Sequence, residues 1–104
     1  MRQQNDLSLN FFLLECLVAL VDHSHVTRAS EAIAISQPAM SRAMAQLRQI
    51  TGDPILVKGE AGLVPTAKAI QLREFAGRIL KEMDELFGRA LAFEPERSRR
   101  TFSI

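Results

Sequence analysis

Residues 26–42 read Val26-Thr27-Arg28-Ala29-Ser30-Glu31-Ala32-Ile33-Ala34-Ile35-Ser36-Gln37-Pro38-Ala39-Met40-Ser41-Arg42, and their spacing decides the fold. Val26, Ala29 and Ile33 fall on one side of a short helix over residues 26–33, with Ser24 or Thr27 near its start as capping candidates. Ala34 and Ile35 make a tight turn. Ser36 then caps a second helix, and Pro38 sits in its first turn, where a missing N–H removes no helical hydrogen bond. Along that helix Met40, Met44 and Leu47 recur at i, i+4, i+7 and point inward, which leaves Gln37, Ser41, Arg42, Ala45 and Arg48 outward.

Two short helices joined by a tight turn, the second opening with small and hydrogen-bonding residues, form a helix-turn-helix. Its second helix, about residues 36–51, would enter the major groove of double-stranded DNA N-terminus first. Gln and Arg are the side chains that bond two edge atoms of a single base, Gln to adenine and Arg to guanine, and Gln37 and Arg42 lie near that leading end. Ser36, Ser41 and Thr27 are short hydroxyl donors suited to phosphates, as are helix N-termini. Arg28 and Arg48 add cations to the same segment, against one acidic residue, Glu31. The bland reading of the pattern is a helical hairpin whose polar face is merely solvated.

Upstream, Phe12, Leu13, Cys16, Leu17 and Leu20, continuing from Leu9, give a helix over residues 9–22 with one core face, capped by Asp6 or Ser8. Phe11, Leu14, Val18 and Val21 make a second face apolar, so this helix needs two neighbours. Its apolar run is too short to cross a bilayer and is interrupted by Glu15. Asp22 and His23 stand where a cleavage site would follow, so neither an anchor nor a signal peptide is expected. His23 and His25 lie in the turn after it without a nearby third ligand, which disfavours a metal.

Downstream, Gly52 ends the recognition helix, Ile55-Leu56-Val57 is β-prone, and residues 59–62 supply a turn before Leu63 and Val64: a small hairpin, or wing. Lys58 at its edge could reach phosphate, whereas Glu60 near the tip has the wrong sign. Thr66 caps a last helix behind Pro65, and its pattern runs over residues 66–93, roughly 42 Å by the rise per residue. Leu72, Ala76, Ile79, Met83, Leu86 and Ala90 alternate in steps of four and three, a heptad stripe flanked by Phe75, Leu80, Phe87 and Leu91. Such a stripe exceeds what the domain of residues 1–65 can cover, and it predicts a homodimer through this helix.

Composition agrees with a small helical core: Phe is the only aromatic, with six copies and no Trp or Tyr in 104 residues. The net charge of +1 does not by itself announce a nucleic-acid partner. One cysteine, Cys16, excludes an intramolecular disulfide and fits a reducing cytoplasm. No paired carboxylates, metal cluster or Ser/His/Asp arrangement points to an enzyme, and no cofactor is expected in this chain.

Residues 26–42, and within them Ser36-Gln37-Pro38-Ala39-Met40-Ser41-Arg42, resemble the signature of LysR-type transcriptional regulators. Gly52-Asp53-Pro54-Ile55-Leu56-Val57-Lys58 and Val64-Pro65-Thr66 are similar to that family's wing and the start of its linker helix. The resemblance implies a bacterial, sequence-specific regulator in which Ser36, Gln37, Pro38, Ser41 and Arg42 meet the major groove. It also implies that Thr27 and Thr66 touch the backbone and that Lys58 acts from the wing. It further implies an antiparallel pair of linker helices, tetramers of the full-length protein, and a small-molecule effector bound by a further C-terminal domain. Two departures are Ser30, where Ala is usual, and Lys58, where Arg is commoner. Residues 94–104, polar around Pro95 and then alternating through Phe102 and Ile104, are expected to be a hinge and the first strand of that further domain. A helix-turn-helix used only for protein association is the competing reading.

Overall fold

Asn10 starts the first helix by accepting the N–H of Leu13 on its side-chain oxygen at 3.0 Å. The computed structural model describes residues 10–92. Within them run helix α1 (Phe11–His23), helix α2 (Val26–Ala32), helix α3 (Gln37–Thr51), strands β1 (Leu56–Gly59) and β2 (Gly62–Pro65), and helix α4 (Ala67–Ala92). This is the mainly α winged helix-turn-helix with a small hairpin and a long last helix that the sequence predicts. Asp6, Ser8, Leu9, Phe93 and the hinge and strand expected over residues 94–104 lie outside the described residues.

Two caps differ from expectation. Asn10, adjacent to the first helical residue, caps α1. His25 caps α2, its Nδ1 accepting the N–H of Arg28 at 3.1 Å. Ser24 instead closes α1 in the left-handed region at φ 51°, donating its N–H to Leu20 O at 2.8 Å. Ser36, Gly52 and Thr66 act as expected: Ser36 Oγ accepts from Ala39 N, Gly52 ends α3 at φ 69°, and Thr66 Oγ1 accepts from Ala69 N.

The turn between α2 and α3 is closed by Ala34 at φ 59° and by Ile35 N donating to Ser30 O at 3.0 Å. Ser30 is buried, and its hydroxyl donates to Thr27 O at 2.7 Å, so the hydroxyl at this packed position is satisfied.

α1 packs on α2, α3 and α4 at once. Leu13, Cys16, Leu17, Ala19 and Leu20 are its buried face, while Leu14, Val18 and Val21 pack partly buried against the core. Both neighbours that its two apolar faces require therefore come from its own chain. Phe12, expected on the core face, is instead exposed. Ala29, Ala43, Ala69 and Ala76 are small enough to let the helices approach, and Met40, Leu47, Ile55 and Leu56 fill the remaining space. Each large side chain so buried contributes about 1.5–3 kcal/mol.

The wing is an antiparallel pair with Leu56 opposite Pro65 and Gly59 opposite Gly62. Gly59 sits at a close approach of the two strands, where a Cβ would lie 3.0 Å from the Val64 side chain and 3.1 Å from Gly62 O. Ile55 is not a strand residue as expected: it sits at φ 70° with its side chain wholly buried, turning the chain into β1.

Candidate nucleic-acid interface

The heptad stripe of α4 is divided by the fold. Ala76 is buried in its own domain and Leu72 packs against that core, so neither is free to meet a partner as expected. The reason is geometric: Ala69, Leu72, Ala76 and Leu80 recur every three or four residues and face α1. Phe75, Ile79 and Leu86 lie further round the helix and remain about half exposed, with Met83 half-buried beside them. Of Ala90 only the helical backbone is described.

α3 carries a polar face. Met40, Ala43 and Leu47 anchor it in the core, which turns Gln37, Pro38, Ser41, Arg42, Ala45 and Arg48 outward, all exposed. Gln49, seven residues after Arg42, extends the same face; the sequence reading passed over it, and that spacing was the available signal. Ser36 is exposed at the leading end, and because its oxygen accepts from Ala39 N, its hydroxyl proton is free to donate outward. Neither α2 nor α3 has an acidic residue in its first turn, so the positive ends of both helix dipoles are uncompensated there.

The residues expected at the DNA backbone separate into two groups. Thr27, Arg28 and Lys58 are exposed, Lys58 on β1. Arg48 is exposed too, but it is engaged inside the domain: Nε donates to Pro54 O at 2.8 Å and Nη2 to Leu56 O at 3.4 Å. Thr66 Oγ1 donates to Asp53 Oδ2 at 2.6 Å while accepting from Ala69 N, which leaves it no proton for a phosphate. Glu60 is exposed at the hairpin tip.

Other chemistry is sparse. Burial, with Glu15 adding to it, pushes the Cys16 thiol up to about 11, so it is neither nucleophile nor ligand at neutral pH. Among the described residues there is no group of three or more His, Cys, Asp or Glu that could hold a metal. No described helix is long and apolar enough to cross a membrane.

Residues 11–70 match the family described as bacterial regulatory helix-turn-helix protein, lysR family. The chain is 36% identical over 103 residues to the HTH-type transcriptional regulator SyrM 2 of Sinorhizobium fredii, a match that covers 99% of this chain and 30% of that protein. It is 36% identical over 93 residues to the HTH-type transcriptional regulator LeuO of Escherichia coli, covering 88% of this chain and 29% of that one. The chain thus spans under a third of the length of these relatives, both named as regulators and not as enzymes. Among solved structures, the DNA complex of the CbnR DNA-binding domain superposes with a TM-score of 0.71 at 26% identity, over 81% of this chain and 97% of that one. The BenM DNA-binding domain in complex with its benA site 1 superposes at 0.76 and 22% identity, over 85% of this chain and 99% of the other, a likeness of fold.

Proposed function

The chain belongs to the LysR family of bacterial regulatory helix-turn-helix proteins, and from that premise we propose that it binds double-stranded operator DNA sequence-specifically as a homodimer. The observation that carries the reading is the exposed face of α3, where Gln37 and Arg42 flank Ser41 behind a helix N-terminus free of acidic side chains. Placed N-terminus first in the major groove, α3 reads base edges through Gln37 and Arg42, with Ser36, Pro38 and Ser41 in van der Waals and hydrogen-bond reach of the same groove. Thr27, Arg28 and Lys58 grip phosphates. Thr66, whose hydroxyl proton is taken up within the domain, and Arg48, two of whose N–H groups are, serve by holding the wing and the last helix in place. The solved CbnR DNA-binding domain, described as a DNA complex, supports the partner.

Dimerisation goes through the exposed strip of α4, Phe75, Ile79 and Leu86 with Met83, in an antiparallel pair. In the longer protein we place a small-molecule effector domain beyond this segment, tetrameric assembly and a cytoplasmic location. No catalytic role is assigned to the chain. Selection of bound sequences from a random duplex pool tests the reading. Enrichment of a two-fold symmetric site supports it; a pool that stays random, with no duplex retarded on a gel, points instead to a protein-association module.

A further inference from the structure

Resting on that reading of the wing, we infer that Asp53 is a positioning residue for DNA binding, which holds Lys58 and the start of α4 in register with the recognition helix. A single oxygen, Oδ2, accepts the Ile55 N–H at 2.8 Å and the Thr66 hydroxyl at 2.6 Å. Residue 55 leads into β1 and residue 66 leaves β2, so one carboxylate clamps both legs of the hairpin at its base. The backbone closes the same point, Thr66 N donating to Ile55 O at 3.0 Å. Thr66 passes the constraint on to α4, since its Oγ1 caps that helix through Ala69 N at 2.9 Å.

The clamp is also tied backwards to α3. Asp53 N donates to Thr51 Oγ1 at 3.2 Å, and that hydroxyl donates to Leu47 O at 2.7 Å. Arg48 reaches forward from the α3 surface to the carbonyls of Pro54 and Leu56, and Lys68 Nζ reaches back from α4 to Thr51 O at 3.0 Å. Asp53 therefore stands where three elements meet. The chain between them includes Ile55 at φ 70°, a backbone conformation that a β-branched residue keeps only when its surroundings impose it. The hydrogen bonds from Thr66 and Ile55, with Lys68 nearby, hold the Asp53 carboxyl below the ordinary carboxylate range against partial desolvation, so the acceptor is fully ionised at neutral pH. Release the clamp and the hairpin pivots on residues 53–55, which moves Lys58 but leaves Gln37 and Arg42 on a helix anchored by its own core residues.

The test is a double-mutant cycle on the 104-residue chain, read as affinity for the operator obtained by random-pool selection. Lys58→Ala is expected to weaken binding about fivefold in the native background and less than about twofold in Asp53→Ala, because the wing is already displaced. Asp53→Ala itself is expected to lose about tenfold on the operator while keeping the native preference at the base pair read by Arg42. A general loss of structure would erase that preference as well. Asp53→Asn restores both affinity and coupling, since its carbonyl oxygen accepts the same two bonds. Where Asp53→Ala fails to fold, Asp53→Glu replaces it in the cycle: it keeps the charge but carries the carboxylate one methylene past both donors, and it is expected to uncouple Lys58 likewise. An undiminished Lys58→Ala effect in the Asp53 variant, or no Lys58→Ala effect in the native background, overturns the proposal while leaving operator binding intact. Failure of the native chain to bind any selected duplex refutes the functional reading itself.

Discussion

Arg73 on α4 and Asp22 at the end of α1 form a two-point ion pair, Nε to Oδ1 at 2.8 Å and Nη2 to Oδ2 at 2.9 Å. The pair joins positions 51 residues apart and ties the long helix to the end of α1. The Arg73 hydrogen bond holds the Asp22 carboxyl below its ordinary range. A depressed carboxylate stabilises the fold above its unfolded-state value and loses that contribution as pH falls through the folded value. Asp22→Asn should therefore lower the melting temperature at pH 7, and the gap to the native chain should narrow as pH falls below the ordinary carboxylate range and through the depressed value of Asp22. Both groups are partly exposed, so the difference should stay within about 1 kcal/mol. A gap that is as large at the acid end contradicts the assignment.

The division of the α4 stripe predicts opposite outcomes for two neighbouring substitutions. Ile79 is 45% exposed, so Ile79→Glu should leave a folded protein that sediments as a monomer and binds operator DNA more weakly, having lost the tether to a second half-site. Ala76 is 1% exposed, so Ala76→Glu should overpack the core, bury a charge and destabilise the domain itself by about 3 kcal/mol or more. Circular dichroism and sedimentation separate the two. An Ile79→Glu chain that remains dimeric at micromolar concentration places the interface elsewhere.

The cations available to the duplex are few. Among the described residues, those placed at the duplex offer Arg28, Lys58 and one further arginine per protomer, Arg48 being partly held by Pro54 and Leu56. Two or three phosphate contacts per protomer give a dimer slope of about −4 to −5 in log K against log[salt], at about −0.9 per contact. A titration that returns a slope near −10 would reveal a basic surface beyond these residues.

How much the sequence disclosed depends on how local the chemistry is. Ser36, Pro38, Gly52 and Thr66 announce helix ends because a cap is decided within three residues, and all four sit where that chemistry requires. The outward set Gln37, Ser41, Arg42 and Arg48 follows from periodicity alone, once Met40 and Leu47 are taken as inward. His25 escaped notice as a cap because an imidazole nitrogen is an uncommon acceptor there, and Ile55 because its β propensity conflicts with the turn it occupies. Periodicity also marks α4 as apolar without saying which chain covers it. Ala76 facing α1 and Ile79 facing out are both heptad residues, and only tertiary packing tells them apart. The Asp53–Thr66 bond spans 13 residues, too far for any local pattern to reveal.

If the exposed face of α3 reads sequence, Arg42→Ala must change which duplexes the chain prefers and not only how tightly it binds. Affinities of the native chain and the variant are measured on the selected operator, on operators altered one base pair at a time, and on a scrambled duplex. A bidentate base contact predicts a loss of about 1–3 kcal/mol on the operator, little change on scrambled DNA, and relaxed preference at one base pair. An equal loss on operator and scrambled duplex, with every base preference retained, would contradict the account by showing that Arg42 meets only phosphate.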